Sequence, residues 1–250
     1  MIRLIPGQLI NYSKLIIHQV YCLQRRQVAK FSGQTYTELI KENTLETRDH
    51  LTPEISLRLI TPRSRLWTAR EHQLPFPDPF WAFYWPGGQI LTRYLLDHPS
   101  VVNGKCIVDI GSGCGASAIA AKISGASKVT ANDTDKVAVE AIALNAEINQ
   151  VDLNTSTENL IGKCQDEWDV VLLGDMFYDD NFADVIGSWV PELSERGKTI
   201  LIGDPGRYSF ERHPLKNNLC RIYKHKLPEN CLKENNGMTH GFVWKYCPRE

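Results

Sequence analysis

Residues 105–115 read Lys-Cys-Ile-Val-Asp-Ile-Gly-Ser-Gly-Cys-Gly, a short apolar run that meets an acid and then opens into three glycines at alternate positions. Cys106, Ile107 and Val108 form the continuous apolar stretch of a strand buried on both faces. The small residues of 116–123 that follow read as a helix able to lie close to that strand. Between them, Gly111, Gly113 and Gly115 permit a sharp turn and bring bare backbone to a ligand that any Cβ would block. Strand, glycine turn and helix in this order predict a nucleotide-cofactor turn within an α/β sheet. Asp109 stands where the strand ends, a place that dinucleotide turns usually give to an uncharged residue. The spacing Gly111-x-Gly113-x-x-Ala116 nevertheless satisfies a loose dinucleotide fingerprint, so a NAD-dependent enzyme stays open at this point.

The same strand-and-helix alternation continues downstream. Residues 128–131 make a second strand that ends in Asn132-Asp133, some 20 residues beyond the glycines. An acid at the end of the second strand of a βαβ unit can accept hydrogen bonds from both hydroxyls of a ribose, the role assigned to Asp133. Asp133 or Thr134 also stands where a cap is needed for a helix over 135–149, whose buried face is Val137, Ala138, Ala141, Ile142, Leu144 and Ile148. Residues 153–157 read as a weak polar strand, followed by Glu158 and Asn159 at the sheet edge where an adenine would lie. Residues 168–173 (Trp-Asp-Val-Val-Leu-Leu) form a buried strand that delivers Gly-Asp-Met-Phe-Tyr-Asp to the same edge. A helix over 182–193, a strand over 198–202 and a hairpin of 219–226 with 240–246 complete the alternation. Ligands of open α/β sheets collect at the carboxyl ends of the strands, so Asp109, Asp133, Glu158 and Asp175 are expected to converge.

Before the glycine turn the chain has a different character. Residues 1–37 hold no Asp or Glu but carry Arg3, Lys14, Arg25, Arg26 and Lys30, a composition that predicts a mitochondrial presequence over 1–34 and places the protein in the matrix. An accessory segment is expected over 35–100, ahead of a cofactor-binding domain over 101–250. It contains a short helix at 37–43, a strand with period two through Ile55, Leu57 and Leu59, and a proline-stiffened loop at 74–80. Residues 80–88 are the densest aromatic stretch, and Trp85-Pro-Gly-Gly is expected to bring bare backbone near the cofactor turn, ahead of an amphipathic helix. The formal net charge of −1 implies no broad nucleic-acid footprint, and seven scattered cysteines without a Cys-x-x-Cys pair signal neither a metal site nor a disulfide framework. No apolar run approaches the roughly 20 residues that cross a bilayer.

Asp109-x-Gly-x-Gly-x-Gly resembles motif I of the seven-strand methyltransferases that use S-adenosylmethionine (SAM). Together with Asp133 and Asp175-Met-Phe-Tyr178, it is similar to the seven-strand protein lysine methyltransferases, whose motif after the fourth strand is Asp/Glu-x-x-Tyr/Phe. Within that family, Trp85-Pro-Gly-Gly-Gln, Asp-Ile-Gly-Ser-Gly-Cys-Gly-Ala, Gly-Asp-Met-Phe-Tyr-Asp and Gly203-Asp-Pro-Gly-Arg207 look like the branch that acts on the electron transfer flavoprotein β-subunit of mitochondria. The likeness runs from about Thr35 to the C-terminus. It implies a Rossmann-like class I fold of seven strands with an N-terminal accessory extension, SAM as cofactor, and the flavoprotein β-subunit as protein substrate, with no nucleic acid or membrane involved. It also implies that Trp85, Asp109, Gly111, Gly113, Gly115, Asp133, Thr134, Glu158 and Asn159 contact the cofactor. Asp175 and Tyr178 would serve catalysis, Asp175 orienting the acceptor amine while the rings of Phe177 and Tyr178 wall its aliphatic stem. A methyltransferase acting on another protein or a small molecule is the alternative.

Overall fold

The computed structural model describes residues 34–69, 75–76, 78–229 and 237–248, so the basic segment 1–33 lies outside the described residues. In chain order the elements are α1 (Tyr36–Asn43), β1 (Leu45–Thr47), β2 (Leu57–Leu59), α2 (Pro86–Asp97), β3 (Cys106–Ile110), α3 (Ala116–Ile123), β4 (Lys128–Asn132) and α4 (Lys136–Ile148). There follow β5 (Asn154–Ser156), β6 (Val170–Gly174), α5 (Asp180–Glu195), β7 (Thr199–Asp204), α6 (Tyr208–Arg212), β8 (Leu219–Lys226) and β9 (His240–Tyr246). Strands β3 to β9 form one sheet in the order β5-β4-β3-β6-β7-β9-β8, parallel except for β9, which runs antiparallel to both neighbours.

Alternate residues of the central strands feed two separate cores, as a period of two requires. Ile107, Val129, Ala131, Val170, Leu172 and Leu201 face α2 and α3, while Val108, Ile110, Val171, Leu173, Ile200 and Ile202 face α5. Both faces of β3 and β6 are therefore covered, which is why these strands are continuously apolar in sequence. The chain leaves β3 toward β4 on one side and leaves β6 toward β7 on the other. A crevice consequently opens at the carboxyl ends of β3 and β6, the switch point where such sheets hold ligands.

Helix α2 locks onto this crevice through glycines. Pro86 occupies its first turn, where a missing N–H costs nothing, so Gly87 and Gly88 lie inside the helix and not ahead of it. A Cβ on Gly87 would stand 2.4 Å from the Gly203 carbonyl oxygen, one on Gly203 would stand 2.1 Å from that of Gly87, and one on Gly174 would lie 3.1 Å from Gly88 Cα. The bare backbone expected beside the cofactor turn thus meets the ends of β6 and β7 instead.

The segment before α2 packs on the sheet's helical layer. Leu39, Ile40, Ile60, Leu66 and Trp81 share a core with Val137, Ala138, Ala141 and Leu144 of α4. β2 pairs antiparallel with β1, completing the expected hairpin. The alternate polar groups of its edge turn to α4, where Asn145 Oδ1 accepts from the Arg58 amide at 2.8 Å and Asn149 Oδ1 accepts from the Ser56 amide at 2.9 Å. Asn149 Nδ2 also donates to the Ser56 carbonyl at 2.7 Å, so two asparagine side chains stand in for a neighbouring strand.

Candidate active site

At the end of β3, Gly111, Gly113 and Gly115 all have left-handed backbones, with φ of 62°, 55° and 82°, conformations that glycine adopts without strain. The Ser112 amide donates to the Asn132 carbonyl at 2.9 Å, tying the turn to β4. Asp109 is buried beneath it and accepts from the Ser112 hydroxyl. Burial pushes its carboxyl up to about 7, opposed by the Ser112 hydroxyl and the Ala118 amide and reinforced by the nearby charge of Asp133. Asp133, at the end of β4, accepts from the Gly113 amide at 3.0 Å through one oxygen and from the Asp135 amide at 3.0 Å through the other. Burial raises its pKa as well. The cap of α4 is neither Asp133 nor Thr134 but Asp135, which accepts from the Val137 amide at 2.8 Å, while Thr134 is exposed beside it.

Among the described residues, no lysine or arginine forms an ion pair with Asp109 or Asp133. Two partly desolvated carboxylates lacking a protein cation, beside a side-chain-free turn, fit a ligand that brings its own positive charge and hydroxyl donors. SAM has both. Glu158 and Asn159 stand at the rim, exposed. Asn132 Nδ2 anchors their turn by donating to the Ser156 and Glu158 carbonyls at 2.9 and 2.8 Å. The Glu158 carboxylate pairs with Lys163 at 3.0 Å and the Asn159 side chain accepts from the Ile161 amide at 3.1 Å, so each is engaged locally and apart from Asp109 and Asp133.

The other half of the edge lies at the ends of β6 and β7. Asp175 has φ of 61°, an uncommon backbone for a residue with a side chain, and is 6% exposed. One carboxylate oxygen accepts from the Gly87 amide at 2.6 Å and the other from Arg207 Nε. Asp204 ends β7 fully buried, with Oδ1 accepting from the Gly206 and Arg207 amides at 2.7 and 2.8 Å and Oδ2 without a partner among the described residues. Burial, then the adjacent charge of Asp175, pushes the Asp204 carboxyl up to about 7. Trp85 stands immediately before α2, its indole N–H donating to the Phe80 carbonyl at 3.0 Å and its ring centroid 6.0 Å from the Arg207 guanidinium. Met176 packs on the cofactor turn: a Cβ on Gly111 would lie 2.5 Å from its sulfur, so the loop after β6 and the glycine turn touch.

Two aromatic expectations separate here. Tyr178 is half-exposed and stacks on Phe182 at 5.0 Å between centroids. Phe177 does not line a pocket with it; it is fully buried, edge-on to Phe210 at 5.0 Å, as part of the core beneath α5. The carboxyl ends of β3, β4 and β6 carry Asp109, Asp133 and Asp175, while Glu158, beyond β5, stays exposed at the rim and pairs with Lys163. Sequence reasoning left Asp204, Arg207 and Asn145 without roles, although an acid closing an apolar strand was the same signal that marked Asp109.

Sheet order, switch point and glycine turn together define a class I SAM-dependent methyltransferase. The family described as ribosomal protein L11 methyltransferase (PrmA) matches residues 91–195. A solved structure from Streptococcus mutans, described as a SAM-dependent methyltransferase, shares the fold at a TM-score of 0.53 and 13% identity, covering 81% of this chain and 55% of that one. The chain belongs to the electron transfer flavoprotein beta subunit lysine methyltransferase family. The Danio rerio member is 47% identical over 229 residues, spanning 90% of this chain and 89% of that protein. The Homo sapiens member is 46% identical over 226 residues, spanning 89% and 86%. The NAD-dependent reading of the glycine spacing gives way to this membership.

Proposed function

We propose that the protein transfers methyl groups from SAM to lysine side chains of the electron transfer flavoprotein β-subunit in the mitochondrial matrix. The observation that carries the reading is the place of Asp175, a buried carboxylate at the end of β6 whose neighbour Met176 packs on the cofactor turn. An acceptor held by Asp175 is therefore next to a cofactor held by the turn. Family membership over nearly the whole chain supports the flavoprotein substrate, and the acid-free, basic composition of residues 1–37 supports the compartment. Among the described residues no helix is long and apolar enough to cross a membrane.

When bound, SAM supplies an electrophilic methyl group on a cationic sulfur. The protein's part is geometry and charge. Asp133 is suited to the ribose hydroxyls. Asp109, Gly111, Gly113, Gly115, Thr134 and Trp85 are assigned to the remainder of the cofactor, and Glu158 with Asn159 to its adenine end. A lysine is nucleophilic only as the neutral amine, and its free pKa is about 10.4. Asp175 accepts an N–H from that amine, aims its lone pair and stabilises the cation that forms as nitrogen gains carbon. Alignment of this kind can supply several kcal/mol of a barrier, with a magnitude of roughly 7 or more in the best intramolecular cases. Tyr178, on the same loop and half-exposed, forms the mouth through which the lysine enters.

Methyl-labelled SAM added with the enzyme to mitochondrial extract from cells lacking it provides the test. One labelled band of flavoprotein β-subunit size, with the label on lysine, supports the proposal. Label in a nucleic acid, a metabolite or only other proteins overturns it.

A further inference from the structure

A carboxylate next to the acceptor raises a difficulty that the geometry also resolves. An unbalanced negative charge beside an amine stabilises its ammonium form, and that form has no lone pair to give. Asp175 is not unbalanced. Arg207 Nε donates to one of its oxygens, and the pair is well shielded, with side-chain exposures of 18% for Arg207 and 4% for Asp175. At such a shielded site solvent screens Asp175 little, so the neighbouring guanidinium is what offsets its charge.

We propose that Arg207 is a positioning residue that offsets part of the charge of Asp175 while leaving the carboxylate able to accept a hydrogen bond, so that the bound lysine sheds its proton at lower pH. The proposal rests on the reading of Asp175 as the group that receives the amine. A carboxylate offers about four acceptor directions. Gly87 and Arg207 occupy two of them, so an incoming N–H can bond without displacing the arginine. The guanidinium is held in turn by the Trp85 ring, and the Arg207 backbone is pinned by Asp204. The lysine proton leaves to solvent before transfer, so no further acid or base is required.

The other charged groups near this pair are engaged elsewhere, Asp204 excepted. Asp204 faces both partners from the end of β7, and its carboxyl, pushed up to about 7, adds a negative charge as it ionises. Arg93 of α2 is committed to Glu54 and Asp97 at 2.7 Å each. Asp179 caps α5, His213 faces Asp184 at 3.3 Å, Glu211 pairs with Lys216, and Asp109 lies under the neighbouring turn. Arg207 is therefore the cation that balances Asp175.

The experiment is the pH dependence of the single-turnover methylation rate, with saturating SAM and flavoprotein β-subunit, for the wild type and for Arg207→Met, Arg207→Lys, Asp204→Asn and Asp175→Asn. Arg207→Met is expected to move the midpoint of the rising limb to higher pH by about one unit or more, lowering the rate near pH 7.5 by roughly ten-fold. The rate should recover at the alkaline end, and Arg207→Lys should restore the midpoint. Removing the negative charge of Asp204 should move the midpoint the opposite way, which keeps the test intact if Arg207→Met does not fold. An equal loss at every pH, or a midpoint unmoved in both the Arg207→Met and Asp204→Asn proteins, overturns the proposal. Asp175→Asn tests the underlying reading by itself: near-normal turnover there removes Asp175 from the reaction and the proposal with it. A collapse of Asp175→Asn alongside unmoved midpoints defeats only the role of Arg207.

Discussion

At the ends of β3 and β4 the carboxylates of Asp109 and Asp133 meet hydroxyl and amide hydrogens, whereas at the ends of β6 and β7 Asp175 pairs with the Arg207 guanidinium and Asp204 holds the Arg207 backbone amide. Burial presses on both pairs, and the sheet brings both to one edge. What differs is where the balancing cation comes from. On the reading proposed above, the ligand beside Asp109 and Asp133 carries it, so a protein cation there would compete with binding. The ligand proposed for Asp175 has to be neutral when it reacts, so Arg207 supplies the cation. An active site for nucleophilic attack on a cationic donor thus needs two treatments of the same residue type within one crevice.

The largest expected effect lies on the acceptor side. Asp175→Asn should lower turnover by roughly a hundred- to a thousand-fold, the about 3 to 4 kcal/mol that preorganised charge stabilisation commonly contributes. Its SAM affinity, measured by titration, should change far less. A loss repaired by saturating SAM would erase the distinction between the two halves.

On the cofactor side, Asp109→Asn should stabilise the SAM-free protein at alkaline pH. The folded carboxyl titrates near 7 against an ordinary 3.8, so the folded state binds the proton more tightly and loses stability as pH rises from 3.8 through 7. Asparagine cannot ionise and escapes that loss, of which roughly 3 kcal/mol falls between pH 5 and pH 8. Chemical denaturation at pH 5 and pH 8 without SAM should show the variant gaining clearly more at pH 8 than at pH 5. The same difference at both pH values would refute the account. Asp133→Ala is expected to weaken SAM binding by roughly ten- to a hundred-fold, about 1.5 to 3 kcal/mol, with turnover at saturating SAM largely kept. Calorimetric titration decides it. The smallest effect belongs to the rim: Glu158→Ala removes an exposed pair with Lys163 and should cost SAM affinity about 1 kcal/mol or less. A larger loss would move Glu158 from rim to core of the cofactor site.

The cofactor half was readable because it is local. Strand, acid and glycines occupy eleven consecutive residues, 105–115, and the second acid follows at the end of the next strand. The acceptor half depends on a contact across 32 residues between Asp175 and Arg207, which no short pattern encodes. The strand expected over 198–202 in fact continues to Asp204, so the acid that marks its end went unread. Phe177 was misplaced for a different reason. The left-handed backbone at Asp175 breaks the alternation that would otherwise have set neighbouring side chains, and the chain turns Phe177 inward. Gly87 and Gly88, expected ahead of the amphipathic helix, lie inside it, where packing against Gly203 and Gly174 leaves room for nothing larger. Asn145, absent from the apolar periodicity of α4, is fully buried, its side chain bonded to the Cys114 carbonyl and the Arg58 amide.

Those asparagines also set an order of assembly. The outer edge of β2 finds its partners 87 and 93 residues later in the chain, on the helix that follows β4. A ribosome makes the early segment first, at about 5–20 residues per second. For several seconds, then, the hairpin has its apolar side chains and half its amides but nothing to set them against. The part of the protein made first is among the last that can be finished.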